Sequence, residues 1–124
     1  MKLETLDSPA KTFHESLKER IDDYVHHIYK VTKSFPKEEI YGITSQLRRS
    51  ALSVMLNYVE GYARHRNRVN KNFLEISYGS FKESYYLLEF SFKEGYLDKM
   101  DYEKLIILGD RIGAMIWGII SKIK

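Results

Sequence analysis

Apolar side chains recur at three- and four-residue intervals in four successive stretches of the chain, which is the spacing of amphipathic helices rather than strands. The first stripe is Phe13, Leu17, Ile21, Tyr24, Ile28 and Val31; Ser8-Pro9 offers it an N-cap and a first-turn proline, and Phe35-Pro36 ends it. The second runs through Ile40, Ile43, Leu47, Ala51, Val54 and Tyr58, with Pro36, Glu38 and Glu39 as expected first-turn residues. The third is Leu74, Tyr78, Phe81, Tyr85, Leu88 and Phe92, capped by Asn67 or Asn70, with Gly95 where a left-handed C-terminal cap belongs. The fourth starts near Asp98, has Asp101 three residues on, and repeats Leu105, Leu108, Ile112, Met115 and Ile119. Helices over approximately 9–33, 37–63, 70–94 and 99–122 result. Their connections are short, so neighbours run antiparallel, and the predicted fold is all-α: one up-down-up-down four-helix bundle over residues 1–124.

The second and third helices carry more apolar residues than one core stripe needs. Leu52, Met55, Leu56 and Val59 lie on the flank and back of the second helix, and Ile76, Tyr86, Leu87 and Phe90 turn away from the stripe of the third. On a monomer these would form a large exposed patch, so the pattern predicts a homo-oligomer built on these two helices. An irregular bundle whose helices rotate to bury them internally is the alternative. A polar line of Arg49, Ser53, Asn57 and Glu60 threads between the apolar faces of the second helix, either as a solvated strip or as buried groups that fix subunit register.

Composition narrows the chemistry. The 124 residues contain no cysteine, which excludes disulfides, thiolate metal sites, iron–sulfur clusters and a cysteine nucleophile. No run of about 18 apolar residues occurs and the N-terminal segment lacks the apolar centre of a signal peptide, so no membrane association is expected and the expected compartment is the cytoplasm. A di-metal carboxylate site needs paired Glu-x-x-His motifs, whereas this chain offers only Asp23 with His26, off the core face; Asp22–His26 and Asp23–His27 are expected as surface pairs instead. No nucleophile elbow or phosphate-cradling glycine loop is present, so no catalytic residue, metal or cofactor is assigned and no enzymatic activity is expected.

Charge placement is more informative. Residues 1–62 carry nine basic and nine acidic side chains, and residues 63–124 carry eleven and eight, so the formal net charge of +3 lies in the second half. Arg64, Arg66, Arg68 and Lys71 cluster at the turn between the second and third helices with no acid among them. Arginines at that density suit bidentate phosphate contacts, and an oligomer would multiply the cluster. Arg49 is a further candidate contact if its polar line faces solvent. A solubilising loop tip is the alternative.

The stretches FPKEEIYGITSQLRRSALSVMLNYVEGYAR (Phe35–Arg64), FLEISYGSFKES (Phe73–Ser84) and EFSFKEGYLD (Glu89–Asp98) resemble the 23S rRNA intervening-sequence proteins. The likeness is carried by Phe35-Pro36, Glu39, Tyr41-Gly42-Ile43, Ser45-Gln46-Leu47-Arg48-Arg49, Asn57-Tyr58-Val59-Glu60-Gly61, and Gly79-Ser80 with Glu83. It implies a bacterial, non-enzymatic four-helix bundle, often a five-membered ring, with basic surfaces for RNA or DNA. Similar proteins accompany diversity-generating retroelements and associate with a reverse transcriptase, which makes a protein scaffold the alternative role. Two departures stand out: Ser53-Val54-Met55-Leu56-Asn57 lacks the family's proline, and Tyr58 replaces a smaller residue, a change expected to alter subunit packing.

Overall fold

The computed structural model describes residues 10–64 and 67–123. Among them are four α-helices, α1 (Phe13–Val31), α2 (Ile43–Ala63), α3 (Asn67–Lys93) and α4 (Lys99–Ile120), with two 3-10 turns, Thr32–Ser34 and Lys37–Glu39. Each helix packs on its neighbour in sequence and α4 closes against α1, as an up-down-up-down bundle requires.

Three helix starts differ from the expectation. Ser8-Pro9 lies outside the described residues, and α1 begins only at Phe13. There the Thr12 hydroxyl accepts from the Glu15 amide at 3.0 Å and the Glu15 carboxylate accepts from the Thr12 amide at 2.9 Å, a complete capping box. Pro36 does not open the second long helix either. It precedes the Lys37–Glu39 turn, and α2 begins after Gly42. Glu39 makes this the start: its carboxylate accepts from the Ile43 amide at 3.2 Å and from the Tyr96 hydroxyl at 2.9 Å, tying the α1–α2 connection to the α3–α4 turn. α3 begins at Asn67 rather than near residue 70, so Asn67 and Asn70 lie within the helix instead of capping it, while the end of α3 and the start of α4 follow the sequence. Gly95 has φ +80°, and the Gly95 and Tyr96 amides donate to the Phe92 and Ser91 carbonyls in a Schellman pattern. Asp98 caps α4 by accepting from the Asp101 amide at 2.8 Å.

The core is apolar with a few internally satisfied hydroxyls. Leu17, Ile21, Tyr24 and Ile28 of α1 meet Leu47, Ala51, Val54 and Tyr58 of α2, Leu74, Phe81 and Leu88 of α3, and Leu105, Ile112 and Ile116 of α4. Phe81 lies so close to α4 that a Cβ on Gly113 would sit 2.6 Å from its ring, which is why glycine occupies that position. Tyr24 reaches Ser84 at 2.8 Å, and Ser84 in turn donates to the Phe81 carbonyl at 2.8 Å. Burial pushes the Tyr24 phenol well above its ordinary range.

The α3 stripe is rotated from the expected one. Ser77, Ser84, Leu87 and Ser91 are buried, whereas Tyr78, Tyr85 and Phe92 are only half-buried. The serines face inward because helices α2 and α3, which share the most extensive contact in the bundle, approach through small residues. Ser77 donates across to the Val54 carbonyl at 2.7 Å, and Ser53 and Ser80 are hydrogen-bonded at 2.7 Å.

Ser84→Ala removes the group that satisfies the Tyr24 hydroxyl in the core and is expected to destabilise the protein by about 1–3 kcal/mol. Tyr24→Phe leaves Ser84 its carbonyl partner and should be the milder change, an order that urea unfolding of both variants checks.

Candidate nucleic-acid interface

The basic turn is built where α2 stops and α3 starts. The chain leaves the helix at Arg64, whose backbone is extended (φ −86°, ψ 143°), and re-enters a helix at Asn67. Asn70 is inside the first turn of α3, and its side-chain amide donates to the Gly61 carbonyl at 2.5 Å, so it caps the end of α2 and clamps the turn. Arg64 is held on both sides: Nη2 lies 2.7 Å from Glu60 Oε1, and the guanidinium carbon is 5.4 Å from the centroid of the Phe73 ring. Arg68 is exposed and Lys71 is half-buried, and among the described residues neither forms an ion pair. Arg66 lies outside the described residues.

Arg49 does not join this group. Fifteen residues of helix separate it from Arg64, about 22 Å along the axis. It is exposed and lines a polar groove of about 300 Å³ with Gln46, Ser50, Ser53, Ser80 and Glu83, on the seam between α2 and α3. The middle of the polar line is satisfied within the chain, since Asn57 Nδ2 donates to the Ser53 carbonyl at 3.0 Å and to its hydroxyl at 2.9 Å. Its ends, Arg49 and Glu60, are exposed.

The apolar residues assigned to self-association divide three ways. Leu52, Leu56, Val59, Ile76 and Tyr86 are exposed, Leu56 and Tyr86 by 57% and 60%. Met55 and Phe90 are half-buried. Leu87 is 7% exposed and belongs to the core, a correction that follows from the rotation of α3 toward its serines. Tyr58 is likewise core rather than a subunit contact: it is 1% exposed, and burial pushes its phenol up to about 12.

Sequence reasoning missed an aromatic cluster at the same end of the bundle as the basic turn. His14 Nδ1 is 2.7 Å from the Tyr58 hydroxyl, and its ring stacks on Tyr62 with centroids 3.4 Å apart and planes 7° from parallel. Desolvation, then the nearby Lys18 charge, holds the His14 pKa below its ordinary value, so the neutral ring is favoured and Nδ1 can accept from Tyr58. Tyr58 and Tyr62, four residues apart on α2, were the available signal, but their partner comes from α1.

His26 is exposed and His27 half-buried. Asp22 and His26 pair at 3.4 Å as expected, while His27 meets Asp101 of α4 at 3.2 Å instead of Asp23. Among the described residues no three His, Cys, Asp or Glu side chains group closely enough to hold a metal ion, and no helix is long and apolar enough to cross a membrane.

The fold thus defines a small helical-bundle protein with a clamped basic turn. Its family is shown by the match of residues 16–118 to the model of the 23S rRNA-intervening sequence proteins, and the chain belongs to that family. It is also similar in fold to a crystal structure of a protein of unknown function from the S23 ribosomal protein family of Bacteroides thetaiotaomicron, with a TM-score of 0.79 and 20% identity over 86% of this chain and 99% of that one. No curated protein matches the chain significantly.

The His14 environment has a pH consequence. Its folded pKa is depressed below 6.5, so as pH falls through 6.5 the unfolded chain takes up a proton that the folded ring does not, and stability drops until the folded pKa is passed. Thermal melts from about pH 7.5 to 5 should show this loss, and His14→Phe should remove that part of the pH dependence.

Proposed function

We propose that the protein is a non-enzymatic homo-oligomer, acting in the bacterial cytoplasm, that binds the phosphates of RNA or DNA through the α2–α3 turn. The observation that carries this reading is the pair Arg68 and Lys71, presented on the first two turns of α3 without an acidic partner among the described residues, near an Arg64 held in place by Glu60 and Phe73. Phosphate contacts of this kind position a ligand without reading its sequence. The exposed Leu52, Leu56, Val59, Ile76 and Tyr86 support self-association on the outer side of α2 and α3. The family resemblance favours a five-membered ring, which would repeat the basic turn around one rim.

A second reading, an accessory subunit for a protein such as a reverse transcriptase, is favoured by α4. There Met100, Ile107 and Trp117 are exposed on a helix that contributes no residue to the proposed self-association surface.

Replacing Arg68 and Lys71 together by Glu should weaken binding to all sequences alike and reduce the log–log salt slope by about two. Unchanged affinity would remove the turn from the interface. For self-association, Leu56→Glu with Tyr86→Glu changes two exposed positions and should reduce the mass seen by light scattering, whereas the parental mass would place the subunit contact elsewhere.

A further inference from the structure

The aromatic cluster adds a specificity to the basic end of the bundle that charge alone does not supply. Four features converge there. Tyr62 is on the last turn of α2, on the side that meets His14 of α1, and Arg64, two residues on, turns to Phe73 of α3 at the same end of the bundle. One face of its ring is covered by the nearly parallel His14 imidazole, yet the residue is 58% exposed, which leaves the opposite face open among the described residues. His14 is in turn anchored by the buried Tyr58 hydroxyl, which fixes the stack before any ligand arrives. Phe13, next to His14, is a further exposed ring, at the N-terminus of α1.

A rigid ring with one free face, at the same end of the bundle as a group of cations, is an arrangement on which an unpaired base stacks while the phosphates beyond it are held by those cations. Bases inside an uninterrupted duplex present edges, not faces, and cannot use such a ring without being unstacked. We infer that Tyr62 is a base-stacking platform, so that the ligand of this end of the bundle is a single strand or an unpaired loop of nucleic acid. This rests on the phosphate-binding reading above and specifies its substrate. The stack orders the ligand as follows: a base lies on the outer face of Tyr62, and the adjoining backbone runs toward Arg64, Arg68 and Lys71.

The test is fluorescence anisotropy with the full chain and three labelled probes: a 12-nucleotide single strand, the same strand with abasic sites, and its blunt duplex. Tyr62→Ala should weaken single-strand binding by about tenfold, leave duplex binding and the salt slope unchanged, and be rescued by Tyr62→Trp. The unaltered protein should lose a similar factor on the abasic strand, a comparison that involves no variant. If Tyr62→Ala and the abasic strand bind like their parents while charge reversal at Arg68 and Lys71 abolishes binding, the phosphate site stands and the platform is refuted. An equal loss on single strand and duplex also refutes it. If the unaltered protein binds none of the probes even at low salt, the nucleic-acid reading itself fails and the platform falls with it.

Discussion

The close approach of α2 and α3 through serines is the constraint from which much of this structure follows. Small side chains at the contact let the two backbones come near enough for Ser77 to donate to a carbonyl of the opposite helix and for Ser53 and Ser80 to bond one another. A contact filled with hydroxyls needs those hydroxyls satisfied, and each buried serine on α3 has a partner: the Val54 carbonyl for Ser77, Phe81 and Tyr24 for Ser84, and the Leu87 carbonyl for Ser91. Leu52, Leu56, Val59, Ile76 and Tyr86 lie on the outside of the pair, exposed.

The two ends of the bundle have become chemically distinct. At one, Glu39 draws Tyr96 and the start of α2 together, beside the packed rings of Phe35 and Tyr96, whose centroids are 5.7 Å apart. At the other, Asn70 clamps the α2–α3 turn and Glu60 and Phe73 hold Arg64, so the cations are displayed from a fixed support. The His14–Tyr62 stack joins the start of α1 to this second end. Positioning of this kind lowers the entropy lost when a ligand is bound. It also separates Arg49, on the polar seam, from the basic turn, so the two sites would make independent contacts.

The helices were legible because leucine, isoleucine and phenylalanine at three- and four-residue spacing leave few alternatives in a chain with two prolines. Gly95 and Asp98 were legible for the same local reason, since a left-handed cap and an N-cap are decided within a few residues. The rotation of α3 was not. Ser77, Ser84 and Ser91 count as polar in any periodicity argument, yet their hydroxyls are satisfied locally or across the helix contact and they lie in the core, taking Leu87 with them. The start of α1 is set by Thr12 and Glu15, a local signature present in the sequence, whereas that of α2 is set by the Glu39 carboxylate, whose bond to Tyr96 of the α3–α4 turn depends on three-dimensional reach. The His14–Tyr58–Tyr62 cluster was hidden because His14 lies on a different helix, 44 residues from Tyr58 in sequence.

Phosphate recognition by the protein is tested most directly by titrating it into a labelled structured RNA and a matched DNA duplex at low and at near-physiological salt, following anisotropy. Binding should weaken steeply as salt rises, with a log–log slope that reports how many phosphates are neutralised. No binding at roughly tens of micromolar protein, even at low salt, would contradict it and leave Arg64, Arg68 and Lys71 as solubilising charges on a turn.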